Sequence, residues 1–468
     1  MSSSRATFTN DVLYCRTTAA PHPLPRSLGA HTDPMEDIMR LRTRRRATAA
    51  LTVAAITALG LAACGDPGAG DADATEGEVG GTMNLATTSD RGLAPLIESF
   101  EADTGAKIEG TFAEAGALNE QLRIQITSGT APDLFRSSPG YSSPSSVLNL
   151  QAEGNLMDLS DQPWAEFVPE SFNSLQQADG GTYAFPTYGQ AMLAFYNTTL
   201  FADLGIEVPT TWSEFIEACE TLKDAGKVPI SLGLADSYIA QFTPLALAAT
   251  LVDGLEPDFY DRLEAGETSF VESEGWREVL EKTFGLIEDG YTTPSPLGMP
   301  GDPAMQQVGN GEAGMVIMPS AASPVLAGMM AGGEDEMGNF AVPATDDASE
   351  TYVAFSPDYL VVNAKAKNPA TALAFLEYIA EPENISSIAA ATGSIPALSN
   401  AEPIDNALNN TVQPFLDEGR TAPFANHAWP GGKVAEALIT TSQQVVEGSK
   451  TIDDVLAALD AAYQESLS

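Results

Sequence analysis

Hydrophobic residues recur along most of this chain with helical spacing, and short apolar runs between them have the length of strands. Leu93, Leu96, Ile97 and Phe100 stand at i, i+3, i+4 and i+7, one face of an α-helix. Ser89-Asp90 can cap that helix and Gly105 can end it. Met83–Ala86 before it and Lys107–Phe112 after it read as strands, and Leu118, Leu122 and Ile126 mark a second helix stopped at Gly129. Further on, Thr211-Trp212-Ser213-Glu214 is a capping box just after Pro209, with Phe215, Ile216, Cys219 and Leu222 on one face and Gly226 at the end. Trp212 and Cys219 are therefore expected in a core. Met315–Met318 and Leu360–Asn363 read as strands. Asn368-Pro369 starts a helix through Leu373, Leu376 and Ile379, and Thr451 with Asp454 caps a last helix whose inward face is Ile452, Val455, Leu456, Leu459 and Tyr463. Strands alternating with helices predict a parallel, doubly wound α/β sheet. Ligands of such sheets sit beyond the carboxyl ends of the strands, which favours the loops Thr87–Asp90 and Ala113–Gly116.

Composition narrows the function classes. A chain of 468 residues has room for two or three domains, and 44% hydrophobic with 18% charged residues is a globular profile. The net charge of -42 gives a surface that repels phosphate backbones and excludes nucleic-acid binding. Cys15, Cys64 and Cys219 have no CxxC or metal-like spacing, and only His22, His31 and His427 could join them, so neither a metal nor a disulfide framework is expected. The chain has no GxSxG, P-loop, HExxH or EF-hand pattern, and no cofactor is called for. The GxGxxG at Gly309, Gly311 and Gly314 precedes a strand instead of following one, the reverse of a dinucleotide fingerprint. Catalysis is not expected.

The N-terminus reads as an address. Arg40, Arg42, Arg44, Arg45 and Arg46 precede an apolar run, Ala47–Ala63, too short and Ala/Thr-rich for a membrane span. It ends in Leu61-Ala62-Ala63-Cys64-Gly65, which resembles the bacterial lipobox, in which the cysteine is lipidated and becomes the mature N-terminus. Residues 1–34 do not fit an export signal, so translation is expected to begin at Met35 or Met39. Residues 1–63 are then the signal region, and 64–81 carry the lipidated Cys64 and a flexible Gly/Ala/Asp tether.

The stretch from Gly180 to Pro229 resembles the extracellular sugar-binding proteins (family 1) of carbohydrate ABC importers. It has their order of a Gly-rich turn, a Tyr183-Ala-Phe-Pro186 strand, a crossing segment, Tyr196-Asn197 and a Pro-Thr-Thr-Trp helix start. Pro132-Asp133-Leu134, Gly154–Leu159, the run Asn310–Met318 and Gly393–Pro396 resemble further family segments in the right order. The resemblance implies a two-lobe, periplasmic-binding-protein-like α/β fold (class II) with a hinge of crossing strands and C-terminal helices. The expected lobes are 82–188 plus 353–396 and 189–352 plus 397–468. It also implies a monomeric receptor that traps a mono- or oligosaccharide and presents it to membrane permease subunits from the outer face of the cytoplasmic membrane. Carried over by position, the candidate ligand residues are Asp90, Glu114, Arg136, Tyr188, Gln190, Asp236, Tyr238, Ser320 and Trp429. Trp429 would stack on the sugar, Gln190 would reach it from the hinge crossing, and Ser320 stands where many relatives place a tryptophan. Two alternatives stay open: a secreted carbohydrate-active enzyme, and a receptor for a cationic solute such as a polyamine, suggested by the acidity.

Overall fold

A computed structural model describes residues 77–88, 92–113, 115–143 and 145–467, the side chains of Ala115 and Gly116 apart. The export signal, Cys64, most of the tether, the Ser89-Asp90 cap, Asp90 and Glu114 lie outside the described residues. All described residues fall within one unit, Ala69–Ser468.

Its frame is a ten-stranded sheet. In chain order the strands are β1 (Thr82–Thr87), β2 (Lys107–Phe112), β3 (Leu134–Ser137), β4 (Phe185–Asn197), β5 (Val228–Ile230), β6 (Ala313–Pro319), β7 (Met337–Phe340), β8 (Val353–Val362), β9 (Ile395–Pro396) and β10 (Thr421–Ala422). The path runs β2-β1-β3-β8-β4-β6-β5, with β7 and β9 paired to β4 and β10 to β8. Parallel pairing holds for β1 with β2 and β3, for β5 with β6 and for β8 with β10. The sheet as a whole is mixed, because the two long strands β4 and β8 run antiparallel to each other and to their outer neighbours. They are the crossing strands: β4 pairs with β8 from Phe185 to Ala191 and with β6 from Met192 to Tyr196. Thirteen and ten residues long, they reach from one hydrophobic core into the next.

Those cores lie at the two ends of the sheet. Met83, Leu85, Phe100, Leu134, Phe185, Leu360 and Phe375 build one, and Ala194, Phe215, Cys219, Trp276, Phe284, Met315, Leu438 and Leu459 build the other. The principal helices are α1 (Leu93–Thr104), α2 (Ala115–Ser128), α3 (Trp212–Asp224), α4 (Phe242–Ala248), α5 (Glu274–Glu288), α6 (Gly301–Gly309), α7 (Pro369–Ile379), α8 (Pro382–Ala391), α9 (Ala407–Asp417), α10 (Lys433–Val446) and α11 (Ile452–Ser466). The local signals have local consequences. Thr211 accepts from the backbone of Glu214 while Glu214 reaches back, and Thr451 does the same with Asp454, so two orphan helix donors are satisfied at each start. Asn368 caps α7 and, with Thr371, holds the chain entering β1: Asn368 Nδ2 and Thr371 Oγ1 donate to the Gly80 carbonyl at 2.6 and 2.8 Å. Cys219 is fully buried and its thiol is pushed up to about 12, first by burial and then by Glu220, so it stays an inert thiol. Among the described residues no helix is long and apolar enough to cross a membrane.

Candidate functional site

The register of the crossing strands decides where the functional loops meet. Because β4 runs antiparallel to β6, the carboxyl end of β6 at Pro319 lies beside Met192, just past the point where Gln190 pairs with Ser356 of β8. The parallel strand β5 ends at Ile230 and leads on the same side into Ser231–Gly233. Between these ends and the start of α6 opens a cavity of about 310 Å³, lined among others by Gln190, Ser231, Tyr238, Phe242, Asp302 and Met318. That is at the small end of ligand pockets.

Two segments shape its mouth. Asp236 Oδ2 accepts the Gly301 amide at 2.7 Å, pinning the first residue of α6 against the loop after β5. Tyr238 then stands 54% exposed at the rim, its ring edge-on to Phe242 at 5.7 Å. Burial of its oxygen, with the carboxylates of Asp236 and Asp302 behind it, raises the Tyr238 pKa, so the phenol keeps its proton as a donor. Gln190 is half-buried, and its amide makes no hydrogen bond among the described residues. It can donate and accept toward the cavity.

The other expected ligand residues are placed elsewhere. Asp236 commits one oxygen to the start of α6 and is not among the described residues that line the cavity. Ser320 is fully buried, and its Oγ accepts the Ala191 amide at 3.1 Å, locking β6 to the hinge; it corrects the expectation of a ligand contact. Tyr188 is 1% exposed within the first core, so it too is corrected to a packing role. Arg136 is engaged by Asp358, with Nε and an Nη at 2.8 and 2.7 Å from Oδ1, an ion pair that ties β3 to β8. Trp429 is the largest correction. Its ring is fully buried and packs against Trp276 at 5.7 Å and Phe270 at 6.0 Å, leaving no face for a sugar. Both indoles lie beside the Tyr260 hydroxyl, close to Asp253, whose carboxyl is pushed up to about 8 by burial.

Sequence reasoning missed the α6 wall, Asp302 and Met305, although Pro300-Gly301-Asp302-Pro303 is a legible helix start. It also missed His427. Ser356 Oγ accepts the Phe424 amide at 2.9 Å, so its own proton is available to His427 Nδ1, also at 2.9 Å. Burial and then the charge of Arg136 lower the imidazole to about 3. His427 is therefore a neutral acceptor in the segment that also bonds the Tyr141 amide through its carbonyl.

The cavity thus opens at the strand ends beside the antiparallel crossing of β4 and β8. The sequence profile of the bacterial extracellular solute-binding proteins matches residues 86–385. This chain belongs to that family. Its members are the substrate-binding proteins of ABC transporters and are not enzymes. This solute-binding protein is 21% identical over 298 residues to the multiple sugar-binding protein of Streptococcus mutans, covering 64% of this chain and 70% of that one. A chitin oligosaccharide binding protein superposes with a TM-score of 0.68, at 20% identity over 82% of this chain and 98% of its own. The solute-binding protein RafE in complex with raffinose gives 0.65, at 19% identity over 82% and 99%. At these identities the two structures establish the two-lobe fold that this solute-binding protein shares.

Proposed function

We propose that this solute-binding protein is the membrane-anchored receptor of a carbohydrate importer. It takes a mono- or oligosaccharide between lobes divided as 82–188 plus 353–396 and 189–352 plus 397–468, and the closed form delivers the sugar to the permease. The observation that carries the reading is the cavity that the 189–352 lobe presents beside the hinge, where Gln190 at the start of that lobe meets Tyr238 on the loop after β5. A hinge residue in the binding surface links ligand contact to movement of the lobes. An aromatic ring at the rim suits the C–H face of a pyranose, and unpartnered amide and carboxylate groups suit its hydroxyls. A cationic ligand is less well served, since Asp302 brings the only carboxylate among the described lining residues. Cys64 is the proposed lipidation site and holds a monomeric receptor on the outer face of the cytoplasmic membrane.

Calorimetry against a sugar library tests the reading. A sugar should bind unchanged, and Gln190→Ala should weaken it by about tenfold, the loss of one or two hydrogen bonds. Hydrolysis of the sugar, or tight binding of a polyamine with no sugar bound, would overturn it. Cys64→Ala should move the protein from the membrane fraction to the medium, and its retention there would reject the anchor.

A further inference from the structure

The chemistry of the cavity wall is uneven. The polar groups gather at the mouth: Tyr238 and Asp302 are exposed, and Gln190 reaches in from the hinge strand. Ser231 apart, the rest of the side-chain lining is apolar: Val316 and Met318 are buried in the wall, and half-buried Phe242, Met305, Ala322 and Ile239 complete it. Polar groups that could soften this wall are already used. Ser231 is buried and donates its hydroxyl proton to Gln307 Oε1 at 2.9 Å. The Gly301 amide is held by Asp236. Neither lysine nor arginine is among the described lining residues.

A fully hydroxylated hexose carries polar groups around the whole ring. Whichever edge enters this pocket brings a hydroxyl against methionine, valine and phenylalanine, where it loses water and finds no partner. A methyl group in the same place needs no partner and gains from leaving water. Methionine at 305 and 318 supplies flexible side chains that close around such a group. The pocket is also hostile to acidic sugars, because Asp302 at its mouth would face their carboxylate with no cation to offset it.

We propose that this pocket seats the methyl group of a 6-deoxyhexose unit, with the remaining hydroxyls turned to Gln190, Tyr238 and Asp302. The inference rests on the sugar-receptor reading and names the substrate class of that site. A methyl-for-hydroxymethyl exchange against an apolar wall should favour the deoxy sugar by about tenfold or more, since an apolar pocket rejects an added hydroxyl by up to about 100-fold.

The experiment is calorimetry on the full-length mature protein with matched pairs: L-fucose against L-galactose, L-rhamnose against L-mannose and 6-deoxy-D-glucose against D-glucose. Each is offered free and as the terminal unit of a disaccharide, alongside the phenyl glycosides. The expected result is at least one pair in which the deoxy member binds tenfold or more tightly. Met305→Gln and Ala322→Ser, each first shown to melt within a few degrees of the parent, should shrink that ratio toward one. Equal affinity within every pair, preference for the hydroxylated member or for the phenyl glycosides, or a ratio untouched by both substitutions would overturn the assignment while leaving the receptor reading intact. Binding of no sugar at all would instead overturn the receptor reading, and this inference with it.

Discussion

His427 predicts a specific weakness toward acid. In the folded protein its Nδ1 accepts from Ser356, and burial beside Arg136 keeps the ring neutral down to about pH 3, against an ordinary value of 6.5. The unfolded chain takes up a proton near pH 6.5 that the folded chain refuses until far lower. The contribution is therefore whole above pH 6.5 and drains away as the pH falls toward 3. Each pH unit in that window is worth about 1.4 kcal/mol, so lowering the pH from 6.5 to 4.5 removes at most about 2.7 kcal/mol. The ring retains some solvent access, which trims the loss to about 2 kcal/mol. Urea unfolding at about pH 6.5 and at about pH 4.5, run on the parent and on His427→Gln, isolates this amount. Glutamine accepts the Ser356 proton at every pH, and the many carboxylates titrate alike in both proteins, so only the His427 contribution survives subtraction. The parent should lose about 2 kcal/mol more than the variant across the window. Parallel losses would refute the assignment of a buried, neutral imidazole.

Three further outcomes follow from the packing. Trp429→Ala should destabilise the protein by about 3–5 kcal/mol through the cavity left between Trp276 and Phe270, while the folded fraction keeps its ligand affinity; weakened affinity in a stable variant would restore Trp429 to the site. Asp253 behaves oppositely to His427: burial raises it to about 8, so the folded chain holds a proton the unfolded chain has released, and its penalty grows from about pH 4 to a plateau above 8. Asp253→Asn should therefore melt higher than the parent at pH 8.5 and about level with it at pH 4, and an unchanged gap between the two pH values would count against it. Gly189→Ala would drive a Cβ into the Phe355 ring, which is already stacked on Phe172 at 5.5 Å, and should cost about 1–3 kcal/mol by chemical denaturation; a neutral result would show that the crossing yields easily.

What the sequence disclosed was governed by distance along the chain. The Thr211 and Thr451 caps are complete within four residues, and their helices begin where the pattern places them. The order of segments, through its resemblance, also carried the hinge of crossing strands, while their antiparallel sense, which makes the sheet mixed where periodicity read a parallel one, was legible in neither. Side-chain surroundings were not legible where the deciding partner is remote. Arg136 follows a strand as a ligand residue would, yet Asp358, 222 positions away, engages it. Trp429 precedes Pro430-Gly431-Gly432, a loop composition that suggests exposure, and only Trp276 and Phe270 make it core. Ser320 stands at a strand end facing the hinge, but the Ala191 amide claims it. The cavity itself draws on four separated segments, around residues 190, 231–242, 301–305 and 316–322, and no local pattern encodes their meeting.

The clip at Gly80 has a mechanical side. The chain upstream is fastened by Asn368 and Thr371 immediately before β1, and β1 lies inside the sheet, paired with β2 along all six residues and with β3 at Leu85 and Ala86. A pull on that chain along the strand would load those ladders in shear, many bonds at once, with no single bond peeling first. The tension would enter the half of the molecule built on β1–β3 and reach the other through β4, β8, the chain leaving β9 and bonds such as that of the Tyr141 amide to the His427 carbonyl. The half carrying the cavity would thus bear the smaller share of the load, because the strain is taken first by the ladders of β1.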